Sequence, residues 1–127
     1  MDVGRAEIMQ DRSIRRIESG PRMSMAVVHG DTVYLAGQVA RNAAGKSVGE
    51  QTKDILSIID GYLAEAGTDK TKLLTANIWL ADIATFNEMN AVWDAWVAPG
   101  ATPARATVEA KLASPQYTVE IMVTAAR

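Results

Sequence analysis

The chain has 127 residues, 48% hydrophobic and 22% charged, with a net charge of −2, the size and balance of one ordinary globular domain with a core of its own. A faintly acidic chain without a basic patch argues against nucleic acid as a partner, and no apolar run approaches the ~20 residues of a membrane span. Cysteine is absent, which removes disulfides, thiol nucleophiles and zinc–thiolate sites.

Residues 1–12 carry no clear periodicity and are expected to form a loose extension ahead of a single domain over residues 13–127. Met1 to Arg16 is charged and lacks an apolar targeting core, so a cytoplasmic location is expected. Ser13 to Ile17 reads as a first strand, broken by Ser19-Gly20-Pro21. Met23 to His29 and Thr32 to Val39 follow as strands, joined by the tight-turn composition His29-Gly30-Asp31. Ser47-Val48-Gly49-Glu50 is a capping box. Beyond it Ile55, Ile58, Ile59, Tyr62 and Leu63 recur at helical spacing, and Gly67 is a C-terminal stop. Leu73 to Ala81 is a fourth strand. Asp82 is the expected N-cap of a second helix with the stripe Phe86, Met89, Trp93 and Val97, ended by Pro99-Gly100.

Residues 103–125 alternate with period 2 in two runs. Ala106, Val108, Ala110 and Leu112 alternate with Arg105, Thr107, Glu109 and Lys111. Val119, Ile121 and Val123 alternate with Thr118, Glu120 and Met122. Ser114-Pro115-Gln116 has turn chemistry. The two runs read as strands joined by a short turn, with Arg105, Thr107 and Glu120 on one shared face. Register decides whether Thr107 or Glu109 lies across from Glu120.

The order is β-β-β-α-β-α-β-β, an α+β arrangement. Two helices cover one face of such a sheet, and Leu74, Ala76, Ile78 and Leu80 suit the covered side. The other face then carries Tyr34, Ala36, Thr75, Asn77, Trp79, Arg105, Thr107, Glu120 and Met122. It is too apolar for bare surface and too polar for a sealed core, which points to a homo-oligomer.

Several segments resemble, in order and spacing, the Rid/YjgF family of enamine/imine deaminases. They are Pro103-Ala104-Arg105, Leu112, Pro115 and Val119-Glu120-Ile121, with Leu35-Ala36-Gly37-Gln38, the Gln51-Thr52 helix start, Glu65-Ala66-Gly67 and the Phe86 to Asn90 segment. Met89 to Val97 is similar to a run in the YoaB-like branch. The resemblance spans about Arg22 to Ala126. It implies a chorismate-mutase-like fold with one mixed sheet, two helices on one face, a homotrimer and sites in the clefts between subunits. It implies no metal and no organic cofactor.

From the strand alone, Arg105 is either a surface arginine paired with Glu109 or Glu120, or a bidentate carboxylate clamp. The resemblance implies the clamp, acting on a 2-imino or 2-enamino acid. Glu120 is either a solubilising carboxylate or, by resemblance, the group that orients water. Gly37 lets backbone approach a ligand and offers an N–H, or else marks a bulge. Asn90 either braces the site or caps a neighbouring strand, since a buried amide needs partners. Thr107 stands where many family members have cysteine, and its backbone can still hold substrate. Arg22 stands where many have a pocket-closing aromatic residue, and Ala36 where serine is usual. Both bear on substrate range. His29 is the only histidine and falls in a turn, so hydrolase triads and His-rich metal sites are not expected.

The resemblance implies hydrolysis of 2-aminoacrylate- or 2-iminobutanoate-type acids to 2-keto acids and ammonia. The alternatives are a non-catalytic trimer that holds small carboxylates and regulates partner proteins, and an endoribonuclease, against which the acidic balance weighs. Chorismate mutase chemistry would want more cations in one pocket.

Overall fold

The computed structural model describes residues 14–127. The extension expected over residues 1–12, and Ser13 at the expected start of the first strand, lie outside the described residues. The elements in chain order are β1 (Arg15–Ser19), β2 (Ser24–His29), β3 (Thr32–Leu35), α1 (Val48–Glu65), β4 (Leu73–Leu80), α2 (Phe86–Trp96), β5 (Ala104–Glu109) and β6 (Val119–Ala126). This is the β-β-β-α-β-α-β-β order read from the periodicity.

The strands form one sheet in the order β1-β2-β3-β6-β4-β5. Only the β4–β5 pair is parallel. Both helices lie on one face. Ile55, Ile59 and Leu63 of α1 and Met89 and Trp93 of α2 join Ala76, Ile78, Val119, Ile121 and Val123 of the sheet in one buried cluster. Ser47 caps α1, its hydroxyl accepting the Glu50 N–H at 3.2 Å. Gly67 ends that helix with φ 87°, where Thr68 N–H returns to the Leu63 carbonyl and Gly67 N–H to that of Ala64, a left-handed helix ending that suits glycine. Asp82 caps a single 3-10 turn, Ile83–Thr85, rather than the second helix itself. The turn delivers the chain into α2.

Three expectations change. First, β5 and β6 are not a hairpin, because β4 lies between them. Alternation reports which side chains share a face but not which strands are neighbours, and residues 110–118 are long enough to cross one strand. The buried amide of Gln51 ties this crossing to α1. It donates to the carbonyls of Lys46 (2.9 Å) and Gln116 (2.8 Å) and accepts from Thr118 N–H (3.0 Å). Second, β5 presents the opposite faces from those expected. Arg105 and Thr107 align with Ala76 and Ile78 on the helix side, while Ala106 and Val108 are exposed on the open side. Third, the register shifts between Leu73 and Thr75. This bulge turns Leu73 into the core and leaves Leu74 46% exposed.

The third strand also stops earlier than Val39. Tyr34 pairs with Thr124, but Gln38 bridges Ile121, so one extra residue is inserted at Ala36–Gly37. This is a β-bulge. The open face of the sheet carries Val27, Tyr34, Asn77, Trp79, Met122, Ala106 and Val108, with Tyr34 47% and Val108 49% exposed.

Candidate functional site

Arg105 sits on the edge strand β5, half-buried, under the helix layer. Its Nη1 donates to Oδ1 of Asn90 at 2.8 Å. Its guanidinium carbon lies 5.4 Å from the ring centre of Trp93 and 5.9 Å from that of Phe86. Phe86, Asn90 and Trp93 fall at i, i+4 and i+7 along α2, so one helical stripe supplies both aromatic contacts and the amide. Asn90 therefore braces the arginine and does not cap a strand. One of its five N–H donors is engaged by Asn90, and the guanidinium makes no other hydrogen bond among the described residues. As members of the apolar stripe, Phe86 and Trp93 are not among the expected site residues. The trace of their second role is the polar Asn90 inside that apolar stripe.

Glu109 is not the partner of Arg105. Its Oε1 accepts the Ile83 N–H at 3.0 Å and holds the 3-10 turn ahead of α2. Thr107 shares the helix-side face with Arg105. Its hydroxyl is buried and has no hydrogen-bond partner among the described residues.

Glu120 lies on the other face of the sheet. Trp79 is directly across from it on β4, so neither Thr107 nor Glu109 takes that position. Its carboxylate presses against the Gly37 bulge. A methyl group on Gly37 would overlap Glu120 Oε2 and approach its Cδ to 3.1 Å. Gly37 is therefore both a bulge and a point of close approach. The backbone N–H groups of Ala36 and Gln38 donate to Met25 and Ile121 carbonyls, while no such bond involves Gly37 among the described residues. Burial pushes the Glu120 carboxyl up from the ordinary glutamate value, because a desolvated carboxylate disfavours its charge.

The single chain does not bring Arg105 and Glu120 together. Arg105 is level with Ala76 and Glu120 with Trp79, on opposite faces and two strands apart. Strand geometry puts their backbones about 14 Å apart before the side chains diverge. Arg22 lies in the exposed turn between β1 and β2, at the far edge of the sheet from β5. Ala36 sits on the bulge beside Gly37. His29 ends β2 and is exposed. Among the described residues no helix is long and apolar enough to cross a membrane.

Residues 13–127 match the family model described as Endoribonuclease L-PSP. A RutC family protein of Haemophilus ducreyi is 45% identical over 113 residues, covering 89% of this chain and 96% of that one. The RutC family protein YoaB of Escherichia coli is 43% identical over 114 residues, covering 90% and 98%. The crystal structure of a YjgF family member from Neisseria meningitidis superposes with a TM-score of 0.87 at 49% identity, covering 90% of this chain and 94% of that one. The α+β, chorismate-mutase-like architecture is thus shared with solved relatives. With the family model matched over residues 13–127 and these relatives covered almost end to end, the chain belongs to the Endoribonuclease L-PSP family, the YjgF/Rid/RutC proteins.

Proposed function

We propose that the protein is a hydrolytic deaminase of reactive 2-imino and 2-enamino acids, converting them to 2-keto acids and ammonia in the cytoplasm. The observation that carries this reading is the preorganised Arg105. Its fork is held by Asn90 and lies within cation–π reach of Phe86 and Trp93, with donors left for a planar carboxylate. A carboxylate bound there holds the adjacent C=N carbon, one bond from the carboxyl carbon, in a fixed position.

Glu120 supplies the base. Its raised pKa suits proton exchange nearer neutral pH than an ordinary carboxylate allows. Water adds to the imine carbon as Glu120 takes its proton. Glu120 passes that proton to the nitrogen, the hydroxyl's remaining proton follows it, and the tetrahedral carbon expels ammonia and keeps the oxygen as a ketone. The free N–H of Gly37 and the backbone of Thr107 would orient the imine. Such imines hydrolyse unaided, so positioning and one acid–base group suffice, and no metal or cofactor is called for.

Because Arg105 and Glu120 face opposite ways in one subunit, a substrate touching both needs Arg105 from one copy and Glu120 from its neighbour. The half-apolar open face around Tyr34, Trp79 and Val108 supports the association, and a homotrimer with three clefts is the proposed assembly. Arg22, remote within one subunit, would reach a cleft only across that interface and would favour substrates with a second anionic group.

The test is keto-acid and ammonia release from imines generated in situ by an amino-acid oxidase. Acceleration over buffer that disappears in Arg105→Ala and Glu120→Ala supports the proposal. No acceleration for any parent amino acid, from folded protein, sinks it.

One observation favours a second reading, a carboxylate-binding trimer without catalysis. The Arg105 clamp is complete without Glu120. In that case, binding of pyruvate or 2-oxobutanoate would survive Glu120→Ala, and no turnover would be seen in the wild type. The nuclease named in the family description finds less support here, given the acidic balance and the single, exposed histidine.

A further inference from the structure

On the outer surface of the helix layer a cavity of about 490 Å³ runs between α1 and α2. Its volume falls within the ~300–1,000 Å³ of small-molecule sites. Leu56, Val92 and Trp96 form an apolar wall, and the channel stays open because Ala91 and Ala95, one turn apart on α2, leave no side chain to fill it.

The charges around this wall are unequal. Asp60 accepts the indole N–H of Trp96 at 3.0 Å, which partly satisfies its oxygens. Lys70 donates to the Trp96 carbonyl at 2.6 Å and lies 5.2 Å from the indole ring centre. Lys53 is exposed on the rim and makes no hydrogen bond among the described residues. Two ammonium groups thus flank an apolar slot whose single lining carboxylate already has a donor.

We infer that this groove is a binding site for a small amphiphilic acid, with its hydrocarbon tail along Ala91 and Ala95 and its carboxylate held by the ammonium of Lys53, unpaired among the described residues. A neutral chain of the same length would keep the tail contacts and lose the head group. A cationic one would meet the like charge of Lys53 at the head position.

The site is separate from the Arg105 clamp, which lies on the sheet side of α2. They share helix α2, and Trp93 beside the clamp touches Trp96 of the groove, with ring centroids 5.3 Å apart. Binding can therefore be read without any reference to turnover.

The probe is octanoate, titrated into the full-length ¹⁵N-labelled protein while the Trp96 indole resonance is followed. Octanamide and octylammonium serve as controls. The site predicts saturable shifts of Trp96 with octanoate and weaker binding of both controls. Lys53→Gln should weaken octanoate roughly fivefold, the worth of one exposed charge contact. Ala95→Leu, which fills the slot from an exposed position, should abolish binding while leaving the rest of the spectrum in place. Arg105→Ala should bind normally. No saturable Trp96 shift, equal binding of octylammonium, or retained binding in Ala95→Leu would overturn the inference. So would loss of binding in Arg105→Ala, which would place the acid in the clamp instead.

Discussion

The carboxylate of Glu120 rests against the α-carbon of Gly37, on the bulge between β3 and β6, with no room left for a β-carbon. The atom in the way is the tip of a flexible side chain, and Gly37 is not among the residues with positive φ. Gly37→Ala is therefore expected to cost little stability, about 1 kcal/mol from mild overpacking. It should cost much more in activity, because the methyl group displaces the carboxylate. Thermal unfolding and imine hydrolysis measured on the same samples check this. In the Gly37→Ala/Glu120→Ala double variant the stability loss should be relieved and activity should stay absent.

The raised Glu120 pKa has a stability consequence with a definite sign. The neutral acid is the form the folded site prefers. That contribution is fully present below the unfolded glutamate value, about 4.3, and is lost as pH rises through the higher folded value. Glu120→Gln, neutral at every pH, should therefore melt above the wild type at pH 8. The gap should close as pH falls below the ordinary glutamate range. An equal gap at pH 4 and pH 8 would show that ionisation is not its source.

Asn90 acts through Arg105. Asn90→Ala frees the guanidinium from its 2.8 Å anchor and should raise KM several-fold with a smaller change in kcat, since a hydrogen bond to a charged group is worth about 1.5–3 kcal/mol before relaxation. Arg105→Lys should not rescue Arg105→Ala to within about tenfold of wild type, because an ammonium cannot copy the bidentate fork. Steady-state kinetics on one imine series separates the two effects.

Shared sites can be tested by mixing subunits. Arg105→Ala and Glu120→Ala should each be inactive alone. Coexpressed in equal amounts, they should recover about a quarter of wild-type activity, the fraction of interfaces where both intact residues meet. A site built from one subunit would recover none. Tyr34→Glu on the open face should shift the assembly toward monomer in sedimentation and remove activity with it.

Asp54 anchors the loop after the bulge. Its Oδ2 accepts the N–H groups of Arg41 (2.8 Å), Asn42 (2.8 Å) and Ala43 (3.0 Å). Desolvation pushes its pKa up, but the three donors outweigh it and hold the value below the ordinary one. The stability this lends is present above the unfolded aspartate value, about 3.9, and is lost as pH falls through the lower folded value. Asp54→Asn should cost about 1 kcal/mol at pH 7, discounted for solvent screening, and progressively less below pH 4. Urea titrations at the two pH values decide it.

The sequence by itself determined the element order and the two ends of α1, and its family resemblance singled out Arg105 and Glu120. The order and the helix ends depend on local physics: the period of 3.6 or 2, the Ser47 hydroxyl and the left-handed Gly67. Strand neighbours were not legible, because a strand's alternation is the same whatever lies beside it. Only the tertiary structure decided that β4 separates β5 from β6 and that Arg105 turns toward Phe86, Asn90 and Trp93. Likewise it set Glu120 on the opposite face, over Gly37. A half-apolar edge strand can bury either face, and here the helix side is the one that offers Phe86, Asn90 and Trp93 to its guanidinium.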